Sequence, residues 1–279
     1  MFFLQLRNEL WKLFGKKRTY IGFGMFLLVQ AIIVLVFRYY SRASASMIRQ
    51  LEGNGYVADQ FITSLTIATT MLFPIAYVLL PLYTSLVGGD LVAKEAEDGT
   101  LRMILSRPIS RVRLLLVKWV AGAIFSALLA VSLGAIGILF ASIFFKHGGL
   151  FVFVPGEVFG VYEWGEGLQR YAVAHAMLAV KAVTITGLAF MFSCFNVKPA
   201  AATILSLSFV FVSFVLMQIP FFHDLQQWFL TYHLNVWQNS FAQPVPWWRI
   251  GESVSVLLGF NISFLIVGCT AFQVRDIKS

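Results

Sequence analysis

Apolar residues in this chain come in long, nearly unbroken runs separated by short polar passages, without the strict alternation of a half-exposed strand. Six runs are long enough to cross a bilayer as helices: residues 20–37, 61–87, 119–145, 172–195, 200–221 and 254–272. The second contains Pro74 and Pro81, which predicts a kink or local unwinding, because proline donates no backbone hydrogen bond and crowds the preceding turn. The 27-residue length of the second and third runs predicts tilt or extension beyond the bilayer. Ahead of the first run the pattern changes. Phe3, Leu6, Leu10, Leu13 and Phe14 recur at helical spacing, with Gln5, Asn8, Glu9 and Lys12 opposite them. This predicts an amphipathic helix lying in the membrane interface over residues 1–19, anchored by Lys16, Lys17 and Arg18. Ala43-Ser44-Ala45 offers a small-x-small cleavage site, but the 18-residue apolar run before it is long for a signal peptide, and Arg38 and Arg42 intervene. The first run is therefore read as an uncleaved span.

Composition agrees with the pattern. The chain is 59% hydrophobic and 12% charged and carries 28 Phe, too apolar a balance to keep its surface in water. The fold class expected is all-α, a polytopic membrane protein of six transmembrane helices. Lys and Arg set its orientation, since 14 fall on the side of the N-terminus and 6 on the other, which puts both termini in the cytosol. The net charge of +8 accompanies no basic stripe interleaved with stacking aromatics, so anionic lipid headgroups and not nucleic acid are its counterpart. Cys194 and Cys269 lie inside apolar runs and read as packing residues. The four histidines, at 147, 175, 223 and 233, share no ligand spacing, and no metal site is expected. The outer passages differ in kind. Residues 41–60 are polar around Gly53-Asn54-Gly55 and should be helical on either side of that turn. Residues 146–171 hold Glu157, Glu163, Trp164 and Glu166, while residues 222–252 hold Trp228, Tyr232, Trp237, Trp247 and Trp248. The last passage should form interfacial or re-entrant short helices, its aromatics serving as a headgroup belt or, alternatively, a gate.

Between the second and third runs, ten of the chain's 34 charged residues fall in the 29 positions from Asp90 to Lys118. Charge concentrated between two membrane-length segments reads as a cytosolic loop, here residues 88–118. Gly99 can end a helix, Thr100 can cap the next, Pro108 breaks it and Ser110 can cap the helix that follows. A short helix is predicted at about residues 101–107, with Leu101, Ile104 and Leu105 on one apolar face that must dock on something.

The stretch EAEDGTLRMILSRPISR, residues 95–111, with LLLVK after it, resembles the cytosolic loop of ABC-2 type permeases, the membrane subunits of ATP-binding-cassette exporters. The resemblance implies that residues 1–279 form a single ABC-2 transmembrane domain and that residues 100–107 are a coupling helix seated in a groove of a separate ABC ATPase subunit. The residues it assigns to coupling are Glu95, Glu97, Gly99, Thr100, Leu101, Arg102, Ile104, Leu105, Arg107 and Pro108. It also implies a homodimer or heterodimer of permeases in a prokaryotic cytoplasmic membrane, with ATP and Mg bound by the partner ATPase and no cofactor in this chain. The residues themselves agree on the last point, because no G-x-x-x-x-G-K-[ST], H-E-x-x-H or G-x-S-x-G occurs, and no catalytic residue is assigned. Asp98-Gly99-Thr100-Leu101-Arg102 resembles the opening of the CDP-alcohol phosphotransferase motif, but its Arg comes one residue early and the downstream aspartates are missing. A secondary transporter or channel-like protein needing no ATPase is the alternative of a different class.

Two finer expectations follow. Glu95 and Glu97 are two apart and cannot share a helical face, so at most one should contact a basic group, Glu95 being favoured because Arg102 and Arg107 lie nearer the coupling helix. Lys181 is the only Lys or Arg inside a predicted span, too deep to snorkel comfortably. It should face the bundle or the dimer axis, either as a contact for an anionic substrate group or held by backbone carbonyls and hydroxyls such as those of Thr184 or Ser206, a span boundary shifted by a turn being the third reading.

Overall fold

The structure, a computed structural model, describes residues 2–106, 109–154 and 158–275, with the side chains of residues 18 and 41–43 left aside. Arg107 and Pro108, both assigned to coupling from the sequence, lie outside the described residues. The chain opens with α1 (Phe2–Gly15), the amphipathic helix, and enters the first span as α2 (Lys17–Tyr39). A polar helix, α3 (Ser41–Gly53), and a 3-10 turn at Ala58–Gln60 flank the Gly53-Asn54-Gly55 turn, as the sequence predicts. The second span begins as α4 (Ser64–Pro74), widens into a π-helical stretch at Ile75–Leu79 and resumes as α5 (Leu80–Glu97). The break falls between Pro74 and Pro81, where the missing N–H donors loosen the ladder of hydrogen bonds.

After the short helix α6 (Thr100–Leu105) come α7 (Arg111–Phe144), the strands β1 (Leu150–Val154) and β2 (Val158–Tyr162), α8 (Trp164–Cys194) and α9 (Pro199–Gln218). A 3-10 stretch at Pro220–Trp228, the one-turn α10 (Leu230–Leu234) and a second 3-10 turn at Val236–Phe241 lead into α11 (Trp247–Val274). Six helical stretches of the described residues are long and apolar enough to span a membrane, the number expected.

Three differences from expectation have physical reasons. First, the helices outrun the apolar stretches: the second span continues to Glu97, the third starts at Arg111 and the fourth at Trp164. Hydropathy marks where lipid ends, whereas a helix ends only where its backbone bonding is interrupted. Second, the passage between α7 and α8 holds an antiparallel hairpin with Leu150 opposite Tyr162 and Val154 opposite Val158. Its β-branched and aromatic residues suit a pleated ribbon, and its buried side packs on α4 and α8. Third, the aromatics of the last passage separate. Trp228, Trp247 and Trp248 are exposed and fit a headgroup belt, whereas Trp237 is fully buried against Phe73 and Tyr77, so this passage re-enters the bundle.

The bundle is organised around α8, with 72% of its apolar stretch buried against 17% for both α2 and α9. Gly88 lets α5 approach it so closely that an added Cβ would lie 2.4 Å from the Thr186 carbonyl oxygen. Hydroxyls bridge the apolar layers, Ser126 to Thr186 at 2.6 Å and Ser85 to Ser206 at 3.2 Å, satisfying groups that lipid would leave unpaired.

Candidate functional site

The passage from Asp90 to Lys118 forms a tight corner at one end of the bundle. Gly99 takes the left-handed conformation, φ 72°, which a side chain would strain, and stops α5. It also occupies the capping position of α6. Thr100, expected as the cap, is instead the first residue of the helix, and its hydroxyl donates back to the Glu95 carbonyl at 3.2 Å. Ser110 caps α7 as expected, its Oγ accepting from the Arg113 amide at 3.3 Å.

The apolar face of α6 turns inward. Leu101 is 2% exposed within the main core, and Ile104 and Leu105 pack half-buried against that core. This corrects the expectation for Leu101, which is enclosed by the body of the chain and cannot face a partner, whereas Ile104 and Leu105 keep part of their surface. A six-residue helix has too little bonding of its own, and its apolar face is the glue that holds it to the body. The residues left facing outward are Arg102, Met103 (66% exposed) and Ser106.

Behind α6 lies a ring of alternating charges that sequence reasoning found only in part. Lys118 Nζ donates to Glu9 Oε2 at 2.9 Å and lies 2.7 Å from Glu95 Oε1, and Lys12 Nζ reaches Glu9 Oε1 at 2.7 Å and Glu95 Oε1 at 3.3 Å. The ring ties α1 to the end of α5 and the start of α7. Burial by itself would push the Glu9 carboxyl up, but Lys118 and Lys12 outweigh it and hold it below its ordinary value. For Lys12 burial likewise works against the charge, and Glu9 with Glu95 more than offsets it, leaving the ammonium raised. Glu97 is exposed and pairs with Lys94 at 2.9 Å. Both glutamates are therefore paired, where at most one was expected, and the partners of Glu95 are Lys118 and Lys12, with Arg102 left exposed. The missed members had one readable signal, Glu9 three residues before Lys12 on a helix face. Nothing local marks Lys118 as their partner.

Two openings flank the ring. A cleft of about 390 Å³ is lined by Lys12, Lys16, Asp90, Lys94 and Asp98, and a groove of about 420 Å³ between α1 and α6 is lined by Gln5, Asn8, Thr100, Met103 and Ile104.

A family model described as "ABC-2 family transporter protein" matches residues 11–247. The chain belongs to the ABC-2 transporter family. Among curated proteins, this ABC-2 permease is 27% identical over 121 residues to the uncharacterized protein YhcI of Bacillus subtilis (strain 168). The matched stretch covers 42% of this chain and 38% of that protein's length. Six spans and family membership make it a multi-pass membrane protein of the ABC-2 permease type.

Lys181, the other residue singled out in the permease, is 4% exposed and far from the charge ring in sequence. Its Nζ donates to Asn235 Oδ1 at 3.3 Å and stands 5.2 Å from the centre of the Tyr77 ring, whose hydroxyl accepts from Gln238 Nε2 at 2.6 Å. The lysine thus faces the bundle, where the π-helical break of the second span meets the re-entrant passage. The hydroxyls expected as partners are engaged elsewhere, Thr184 with the Val180 carbonyl and Asn261, and Ser206 with Ser85.

Proposed function

We propose that this chain is the membrane subunit of an ATP-driven exporter, a single transmembrane domain that pairs with a second permease, identical or not, in the cell membrane. The α1 end, with both chain termini, faces the cytosol, and each permease receives a separate ABC ATPase subunit that binds ATP and Mg. The outer face of α1, where Phe3, Leu4, Trp11 and Arg7 are exposed, meets anionic lipid headgroups together with Lys17 at the start of α2. ATP-driven closure of the motor subunits displaces the coupling loop, and the bundle alternates between inward and outward access. The observation that carries this reading is a short helix held at a rigid corner between two long spans, its apolar side fixed in the core and Arg102 and Met103 free to meet a partner. Glu95, Glu97, Gly99, Thr100, Leu101, Ile104 and Leu105 shape and brace that corner, and Arg107 and Pro108 complete the coupling segment. Lys181 sits on the substrate path and meets an anionic group of the cargo.

The test is copurification from membranes of an ABC ATPase with the tagged permease, followed by the same experiment with Met103→Asp. The variant places a charge where an apolar contact is expected and should reduce recovery of the ATPase at least tenfold while membrane insertion is unchanged. Equal recovery with both chains counts against a docking surface at α6. Transport by the purified permease alone in vesicles, with no ATPase present, establishes a secondary transporter or channel instead.

A further inference from the structure

The start of α7 is fastened to the last span by one side chain that neither composition nor spacing singles out. Arg111 Nη1 lies 3.3 Å from the carbonyl oxygen of Phe272, 3.1 Å from that of Gln273 and 3.2 Å from that of Arg275. These carbonyls belong to the end of α11, where a helix has no further N–H groups to offer and its dipole favours a cation. Its guanidinium carbon also stands 6.0 Å from the centre of the buried Phe272 ring. The fastening continues one step. Arg275 Nη1 donates to the carbonyl of Phe195 at 3.0 Å, just past the end of α8. Beside it α11 and α8 are in close contact, since a Cβ on Gly268 would lie 3.3 Å from Cys194 Sγ and 3.4 Å from Met191 Cα.

We infer that Arg111 is a positioning residue that carries displacement of the coupling loop to α11, and through Arg275 to the end of α8, the most buried span. This rests on the proposed coupling of the loop to an ATPase, and adds the route by which the displacement leaves it. The geometry suits the role, because Arg111 is the first residue of α7 and follows directly on the loop and its Ser110 cap. Its guanidinium grips main-chain oxygens, so the end of α11 is held as a body and not through one mobile side chain. Lys94 and Arg113 lack this reach, bonding to Glu97 and to Gln5 respectively.

The experiment is hydrogen exchange on the permease with its copurified ATPase, with and without ATP and vanadate, comparing Arg111→Ala and Arg111→Lys with the natural chain. In the natural complex, nucleotide should change exchange in residues 100–106, in 268–275 and in 188–195 together. In Arg111→Ala the response in 100–106 should persist, while those in 268–275 and 188–195 fall at least threefold. Arg111→Lys, which can still donate to a carbonyl, should restore part of both, and stands alone as the test if the alanine variant does not assemble. Fraying of α11 would show as faster exchange of 268–275 in Arg111→Ala without nucleotide, and in that case the partial restoration expected of Arg111→Lys is the test that stands. Equal responses of all three segments in Arg111→Ala and the natural chain overturn the inference, as does a natural complex in which the loop responds and 268–275 does not. A natural complex in which nucleotide leaves 100–106 unchanged tells against the ATPase reading itself.

Discussion

Lys118 and Lys181 are both almost wholly enclosed, yet the two regions around them are built on different terms. Lys118 meets two carboxylates, Glu9 at 2.9 Å and Glu95 at 2.7 Å, and those carboxylates share a second cation in Lys12. Lys181 meets an amide oxygen at 3.3 Å and the face of a phenol ring. At the α1 end, then, removing one charge leaves the others short of a partner at largely buried positions. Beside the broken second span, the partners are neutral and removal strands only a dipole. Removing one member of a buried ion pair leaves an uncompensated charge, whereas removing a charge held only by dipoles does not.

The largest effect expected from breaking this contrast is that of Lys118→Met. With Glu9 and Glu95 left to share Lys12 alone, the loss should be about 3 kcal/mol, read as a markedly lower unfolding temperature in detergent. Adding Glu95→Gln to that variant should recover part of the loss, because it removes one of the stranded charges. If Lys118→Met melts with the natural chain, the ring is not a structural unit.

Glu95→Gln by itself should cost about 2 kcal/mol, since a charged hydrogen-bond partner is lost from Lys118 while Glu9 remains. Glu97→Gln, at an exposed pair with Lys94, should leave the unfolding temperature nearly unchanged. Identical effects of the two substitutions would show that net charge of the loop matters and individual pairing does not.

The pH dependence sharpens the same point. The Glu9 carboxyl is held below its ordinary value, so its stabilisation of the folded state is complete above the ordinary carboxylate range and is lost as pH falls through the lowered value. Lys12 is raised, so its share is complete below the ordinary lysine value of 10.5 and is lost as pH rises through the raised one. The difference in melting temperature between the natural chain and Glu9→Gln should therefore stay level across neutral pH and shrink on acidification. A difference that grows on acidification would contradict the ion-pair assignment.

The smallest structural effect is expected from Lys181→Met, within about 1 kcal/mol and in either direction, because no opposite charge is stranded. If the lysine contacts an anionic substrate, transport should fall while the melting temperature holds. Transport that is intact alongside a raised melting temperature would make the lysine dispensable to both.

Legible in the sequence were the number of spans, the opening helix, the break between Pro74 and Pro81, the short helix after Gly99 and the short helices around Trp237. Each rests on a local property, such as the length of an apolar run, the spacing of side chains along a helix, or the lack of a donor at proline, which any neighbouring structure must respect. Packing settles which way α6 turns. The same three apolar residues could face a partner or the body of the chain, and the choice depends on what packs against them and not on the helix itself. The fold also settles that Glu95 pairs with Lys118 and Lys12 and that Lys181 faces Asn235 and Tyr77, since partners so far apart in sequence are brought together by packing that no local pattern records. The grip of Arg111 on the end of α11 was the least legible feature of all. Its acceptors are backbone carbonyls, which every residue possesses, and so the sequence around residues 272–275 carries no mark of being chosen.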